Sequence, residues 1–121
     1  MNAILDTNFI ISCIRKKIDF MSQLEEQGFK VMVPREVMQE LKDIRLRSSA
    51  SHEDRMAIDL ALGIFSQHGI KRISLGEGRV DDWLIHMGKQ GYYVATLDQG
   101  IKRAVPHSIV IFDAQKRVGV E

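Results

Sequence analysis

Two acids in this chain stand where an apolar strand gives way to a helix. Ala3-Ile4-Leu5 is a short apolar run that reads as a buried strand. It stops at Asp6, and Thr7 and Asn8, both good helix-capping types, lead into an apolar helix pattern from Phe9. Tyr92-Tyr93-Val94-Ala95-Thr96-Leu97 repeats the arrangement and stops at Asp98. Glu40 lies one turn beyond Glu36 on a helix of its own, and Asp81-Asp82 opens another. The carboxyl ends of strands in an open α/β sheet are where ligands and chemistry gather, so these acids are candidates for one cleft. Carboxylates crowded within a few ångströms repel, and some protonate. A hard divalent cation relieves that repulsion, and carboxylate oxygens with water suit Mg²⁺ or Mn²⁺. Such an ion orients a phosphate and activates its bound water, so no protein nucleophile is required. Taken singly, each acid has a plainer explanation. Glu40 alone is a solvated surface residue, and Asp81 and Asp82 alone are ordinary first-turn acids facing a helix dipole.

The segments between these acids must form the scaffold. Ile10, Ile11 and Ile14 make the inner stripe of a helix from Thr7 to Arg15, with Cys13 a small buried hydrophobe and Arg15-Lys16-Lys17 closing it. Phe20, Leu24 and Gln27 mark a short helix ended by Gly28. Phe29 to Val33 is a strand, and Pro34 opens a helix whose Val37, Leu41 and Ile44 face the core. Arg45 to Ser51 is small and polar, the pattern of a mobile loop bearing Arg45 and Arg47. Ser51 with Asp54 forms a near capping box for a long helix ended by Gly69. Ile70 to Ser74 is a third strand, Gly76-Glu77-Gly78 a turn, and Val80 to Gly91 a helix in which Trp83 packs on the domain or stacks on a base. Gln99 to Ala104 is a short helix stopped by Pro106, and Ser108 to Phe112 is the last strand. Asp113 reads as a turn residue, and Lys116 to Glu121 as a frayed tail or an interface strand. Apolar strands separated by helices predict an α/β fold: one three-layer α/β/α domain over residues 1–121, with a central parallel sheet of about five strands.

Composition narrows the class. Apolar residues make up 45% of the chain, enough for a core, and charged residues 27%, as in soluble proteins. No apolar run approaches a membrane span, and Met1-Asn2 leads straight into the first strand with no signal peptide visible. The single cysteine, Cys13, excludes an internal disulfide and a cysteine-based zinc site. A cytoplasmic protein is expected. Net charge is only +1, from 17 basic and 16 acidic residues. Setting aside Asp6, Glu40, Asp81, Asp82 and Asp98 leaves 11 acids against the 17 bases, a remaining surface of +6. An acidic hole in a basic surface suits a metal-dependent enzyme acting on a polyanion.

The ordered set of acids, with Leu5-Asp6-Thr7-Asn8, Asp81-Asp82-Trp83-Leu84-Ile85 and Ala95-Thr96-Leu97-Asp98 followed by Lys102-Arg103, resembles the PIN domain family of nucleases across essentially the whole chain. The resemblance implies strand order 3-2-1-4-5, acids gathered at the carboxyl edge, Mg²⁺ or Mn²⁺ as cofactor, and cleavage of single-stranded RNA to 5′-phosphate and 3′-hydroxyl ends by in-line attack of metal-activated water. By position, Asp6, Glu40 and Asp98 match the family's first, second and fourth acids. Asp81 best matches the third, with Asp82 able to share or replace it. Asn8 and Thr96 match supporting polar positions. Leu97 departs from the pattern, since related sequences often carry a polar residue there.

Arg15, Lys16, Arg45, Arg47, Arg79, Lys102 and Arg103 are the candidates for holding RNA. The loop bearing Arg45 and Arg47 is the one expected to close over a single strand's backbone. The histidines His52, His68, His86 and His107 share no spacing and are assigned no role. Within a metal-dependent endoribonuclease two biologies compete. One is the toxin of a toxin–antitoxin pair, with an antitoxin protein as partner. The other is an enzyme of RNA or ribosomal RNA processing, towards which Asp81-Asp82 and the run from Ala95 to Arg103 lean. A homodimer is a further expectation by analogy with the family, and it would fit apolar residues such as Phe20 and Met21 at a surface. The alternative from another class is a catalytically silent RNA-binding or scaffolding domain, against which all acidic positions being filled speaks. A nucleotide-binding domain is disfavoured because no glycine-rich phosphate turn follows the first strand.

Overall fold

The middle of the molecule is a sheet whose central strands are too apolar to face water on either side. A computed structural model describes residues 1–121. The strands are β1 (Asn2–Leu5), β2 (Lys30–Pro34), β3 (Lys71–Ile73), β4 (Tyr93–Ala95), β5 (Ser108–Phe112) and β6 (Arg117–Val120). The helices are α1 (Thr7–Arg15), α2 (Phe20–Glu26), α3 (Arg35–Leu46), α4 (His52–His68), α5 (Val80–Lys89) and α6 (Gln99–Ala104), with a 3-10 turn at Asp113–Gln115. One sheet of six strands runs β3-β2-β1-β4-β5-β6.

Side-chain alternation divides the core in two. Ala3 and Leu5 of β1 join Val31 and Val33 of β2 on one face, under the inner stripes of α1, α2, α3 and α4. Ile4 of β1 and Val94 of β4 point to the other face, under Leu84 of α5 and Ile101 of α6. Successive strand residues point to opposite faces, so a β1 with a helical layer on each side must be apolar throughout. Ala3, Ile4 and Leu5 are fully buried, and the larger two contribute about 1.5–3 kcal/mol each.

The expected order of the first five strands is present and parallel. The tail differs from expectation. It is not frayed but a sixth strand at the sheet edge, antiparallel to β5, with Ile111 opposite Val118. The outward backbone groups of Val118 are satisfied. Gln23 Oε1 accepts from Val118 N–H at 2.8 Å, and Gln27 Nε2 donates to Val118 O at 2.9 Å. Gln23 of α2 and Gln27 at its C-terminal end thereby cover the middle of this edge, which otherwise invites another strand. Short, glycine-containing Arg117–Val120 has no strand signal of its own, because these long-range partners make it one.

Phe20 and Met21 are 1% and 2% exposed and belong to the core, so they cannot form the dimer surface expected of them. Ser51 and Asp54 do form a reciprocal capping box. Arg45 belongs to the last turn of α3 and grips Asp59 of α4 through Nε at 2.6 Å and Nη2 at 3.0 Å. The expected mobile loop therefore shortens to Arg47–Ser51, and that bidentate pair pins one of its ends. Burial pushes the Cys13 thiol up to about 12, the state of an inert core residue.

Gly88 is where α5 meets the sheet. A Cβ there would stand 2.8 Å from Val105 Cβ and 3.1 Å from Val94 Cγ2. Gly88→Ala is expected to cost about 1–3 kcal/mol by overpacking, despite alanine's better helix propensity. Adding Val105→Ala should recover part of that loss in chemical denaturation. A Gly88→Ala protein as stable as the parent would contradict this packing.

Candidate active site

Parallel pairing sets the first contact of the site. Leu5 stands opposite Ala95, and Asp6 N–H donates to Ala95 O at 2.9 Å. The strands β1 and β4 thus end side by side, and the residues after them, Asp6 and Thr96, meet. Asp6 rather than Thr7 or Asn8 is the cap of α1. Its Oδ1 accepts from Thr7 N–H at 2.8 Å, and its Oδ2 from the Thr96 hydroxyl at 2.9 Å. Thr96 Oγ1 in turn accepts from Asp98 N–H at 3.1 Å, and Asp98 Oδ1 caps α6 by accepting from Ile101 N–H at 3.0 Å. Thr7, itself 1% exposed, donates its hydroxyl to Glu40 Oε2 at 2.8 Å. One continuous network therefore runs from Glu40 through Thr7, Asp6 and Thr96 to Asp98.

These residues face an open groove of about 660 Å³. Asp6, Glu40, Asp81 and Asp98 all line it, as does Asn8. Thr96 is fully buried beneath it. Asp82 is on the far side of the first turn of α5, in a separate hollow with Trp83 and His86. The α5 entry is itself held in place. Leu75 N–H donates to both Glu36 carboxylate oxygens, at 3.1 and 3.2 Å, so Glu36 anchors the segment leading to Asp81. Trp83 Nε1 donates to Glu77 O at 2.6 Å, and the ring packs on Gly76.

The expected cations divide. Arg15 and Lys16 line the groove. Arg15 also pairs with Glu53 at 3.3 Å and Asp54 at 3.2 Å, and Lys16 with Asp113. Arg45 is engaged by Asp59, and neither it nor Arg47, Lys102 or Arg103 reaches the groove. Arg79 stands beside Asp81 at 3.6 Å, an exposed pair of little strength. Thr7, Ile11 and Ser12 also line the groove but were not expected there. For Ser12 the signal was in the spacing. Asn8, Ser12 and Arg15 recur at i, i+4, i+7, one face of a helix.

The electrostatics are those of crowded acids. Burial, followed by the nearby Asp81 and Glu40 carboxylates, raises Asp6 above the usual aspartate range; the hydrogen bonds from Thr96 and Thr7 N–H pull it down and lose. The donors are uniformly hard carboxylate oxygens. No three of them stand close enough to form a direct cage, so an ion here would be held by one or two carboxylates and by its own waters, the habit of Mg²⁺. The donor set thus fits a hard divalent cation.

A raised carboxyl pKa opposes folding when the group is ionised. The penalty is complete above the raised value and fades as pH falls towards the unfolded value of about 3.9. Asp6→Asn is therefore expected to melt above wild type at neutral pH in chelator, with the difference closing near pH ~4. A variant melting lower at neutral pH would contradict the raised Asp6 carboxyl.

Comparison with known proteins gives one family and one fold. A model described as a PIN like domain matches residues 3–114. Among solved structures, the chain is similar to the PIN domain endonuclease Utp24, at 23% identity and a TM-score of 0.75, covering 99% of this chain and 90% of that one. No curated protein sequence matches it significantly. With its strands, its helices and its acidic groove all lying within or beside the matched residues, this chain belongs to the PIN-like domain family.

Proposed function

We infer that the protein is a metal-dependent endoribonuclease, a single PIN-like domain hydrolysing phosphodiester bonds of single-stranded RNA. The observation that carries this is that Asp6, Glu40, Asp81 and Asp98 all line one groove, where burial first, and the Asp81 and Glu40 carboxylates after it, raise the Asp6 carboxyl. A protein gains nothing in stability from crowding acids in this way, so the arrangement argues for a cation and a reaction. The fold shared with the PIN domain endonuclease Utp24 supports an endonucleolytic cut.

A bound Mg²⁺ or Mn²⁺ would neutralise the groove, steady the phosphate and make a bound water more acidic. Asp6, Asp98, Glu40 and Asp81 are the residues that would hold it. The chain's own contribution is orientation. Thr96 fixes Asp6 and, through its oxygen, the turn bearing Asp98, while Thr7 fixes Glu40. A free carboxylate oxygen, of Glu40 or Asp98, would take one proton from a water aimed at phosphorus. Attack would form the new P–O bond as the bond to the 3′-oxygen breaks, and the proton taken from the water would return through solvent to that oxygen, leaving a 3′-hydroxyl and a 5′-phosphate. Ile11 and exposed Leu97 offer an apolar wall to a ribose or base. Asp82, turned into another hollow, is assigned no part in this step.

No helix is long and apolar enough to cross a membrane, and the one buried thiol suits a reducing cytoplasm. Of the two biologies, RNA processing is the one we propose.

End-labelled single-stranded RNA should be cut internally with Mn²⁺ or Mg²⁺ and not with chelator. Asp6→Asn and Asp98→Asn should each slow cutting by roughly 10²-fold or more, the scale of losing one group that acts in the transition state. A folded wild type that binds several RNAs and cuts none would identify a silent binding domain instead.

A further inference from the structure

An acidic groove cannot hold a polyanion by itself, and most of the cations expected to help do not reach it. Arg15 and Lys16 are the two that do. They also form the wall of a second hollow, of about 340 Å³, whose other basic residues are Lys17 and Lys116, with Asp113 as its only acid. The groove and this hollow thus share a basic rim.

Lys17 and Lys116 are the only residues other than glycine with a positive φ, at 57° and 48°. Left-handed backbone disfavours a side chain. At the end of α1, Ile18 N–H bonds to Cys13 O at 2.9 Å and Lys17 N–H to Ile14 O at 3.0 Å. That is the hydrogen-bond pattern of a helix ending in a left-handed residue, usually glycine. Helices α2, α4 and α5 end in the same way with Gly28, Gly69 and Gly91 at that position. Lysine stands only at the end beside the groove. Lys116 lies beyond the residues 3–114 matched to the family. It is carried there by the β5–β6 connection, where Gln23 Nε2 donates to its carbonyl at 3.4 Å. Neither Lys17 nor Lys116 makes an ion pair, and both are exposed. Strained residues that recur at one place are a sign of function.

We propose that Lys17 and Lys116, with Arg15 and Lys16, form a phosphate-binding ramp that carries the backbone of single-stranded RNA away from the acidic groove. The inference rests on the nuclease reading above. Phosphates of the flanking nucleotides occupy the hollow. Lys17 and Lys116 bind them without first breaking an ion pair, whereas Lys16 must exchange Asp113 for phosphate.

The test is a Lys17→Gly/Lys116→Gly double variant, because glycine relieves the backbone strain and the protein should melt no lower than wild type. Binding of labelled oligouridine in EDTA is followed by anisotropy across a salt series. Loss of two phosphate contacts should flatten the slope of log K against log salt by about 1.4, at roughly 0.7 per contact on a single strand. With Mn²⁺, KM for RNA should rise about fivefold while kcat stays within about twofold, as for lost uniform binding. Lys42→Ala/Lys89→Ala, exposed elsewhere, should change neither. An unchanged slope and KM in the glycine variant, with wild type binding and cutting normally, would overturn the ramp and leave the nuclease standing. A wild type that binds no RNA would overturn both.

Discussion

The Thr96 hydroxyl can donate only one proton, and it donates it to the Asp6 carboxylate. Its oxygen then accepts from the backbone of Asp98. This small buried group therefore fixes the spacing of two acids that would otherwise separate. It works only because β1 and β4 are parallel neighbours in register, so that their ends arrive together. Thr7 does the same for Glu40, a residue distant in sequence. The sheet brings the acids near, the two threonines hold them, and the cost appears as an aspartate pushed towards its neutral form.

Much of this was legible in the chain. Buried strands covered by helices on both faces have a plain apolar signature, and the acids at the ends of β1 and β4 stand at marked boundaries. The family resemblance then ordered Glu40 and Asp81 with them. What escaped depends on contacts made across the fold. Arg117–Val120 becomes a strand only against β5 and the glutamines of α2. Phe20 and Met21, read as surface residues, fill the core beneath α2. Arg45 looked like a loop cation because Arg45 to Ser51 is polar, yet Asp59 holds it at the end of a longer α3. Thr7 looked like a cap because capping types are recognised locally, whereas its bond to Glu40 spans 33 residues. Asp81 and Asp82 are adjacent and chemically alike, and only the angle of the α5 turn separates them.

The distribution of positive charge follows the same logic. Single basic residues in sequence are interchangeable, and their use depends on which acids the fold sets beside them. Arg45 is committed to Asp59 and Arg15 is shared with Glu53 and Asp54, while Lys17 and Lys116 are left without partners. A small domain with a net charge of +1 has few cations to spare. Placing four of them around one rim is a stronger signal than the overall balance.

In the proposed site, a hard cation relieves the burial and crowding of the groove's carboxylates, Asp6 first among them. Titration of the Asp6 side-chain carboxyl carbon by NMR, assigned against Asp6→Asn, tests it without any substrate. In chelator the midpoint should lie above the ordinary aspartate value of about 3.9, and saturating Mg²⁺ should move it below that value as the ion displaces the proton. An ordinary midpoint that Mg²⁺ leaves unmoved would rule out a cation site at Asp6.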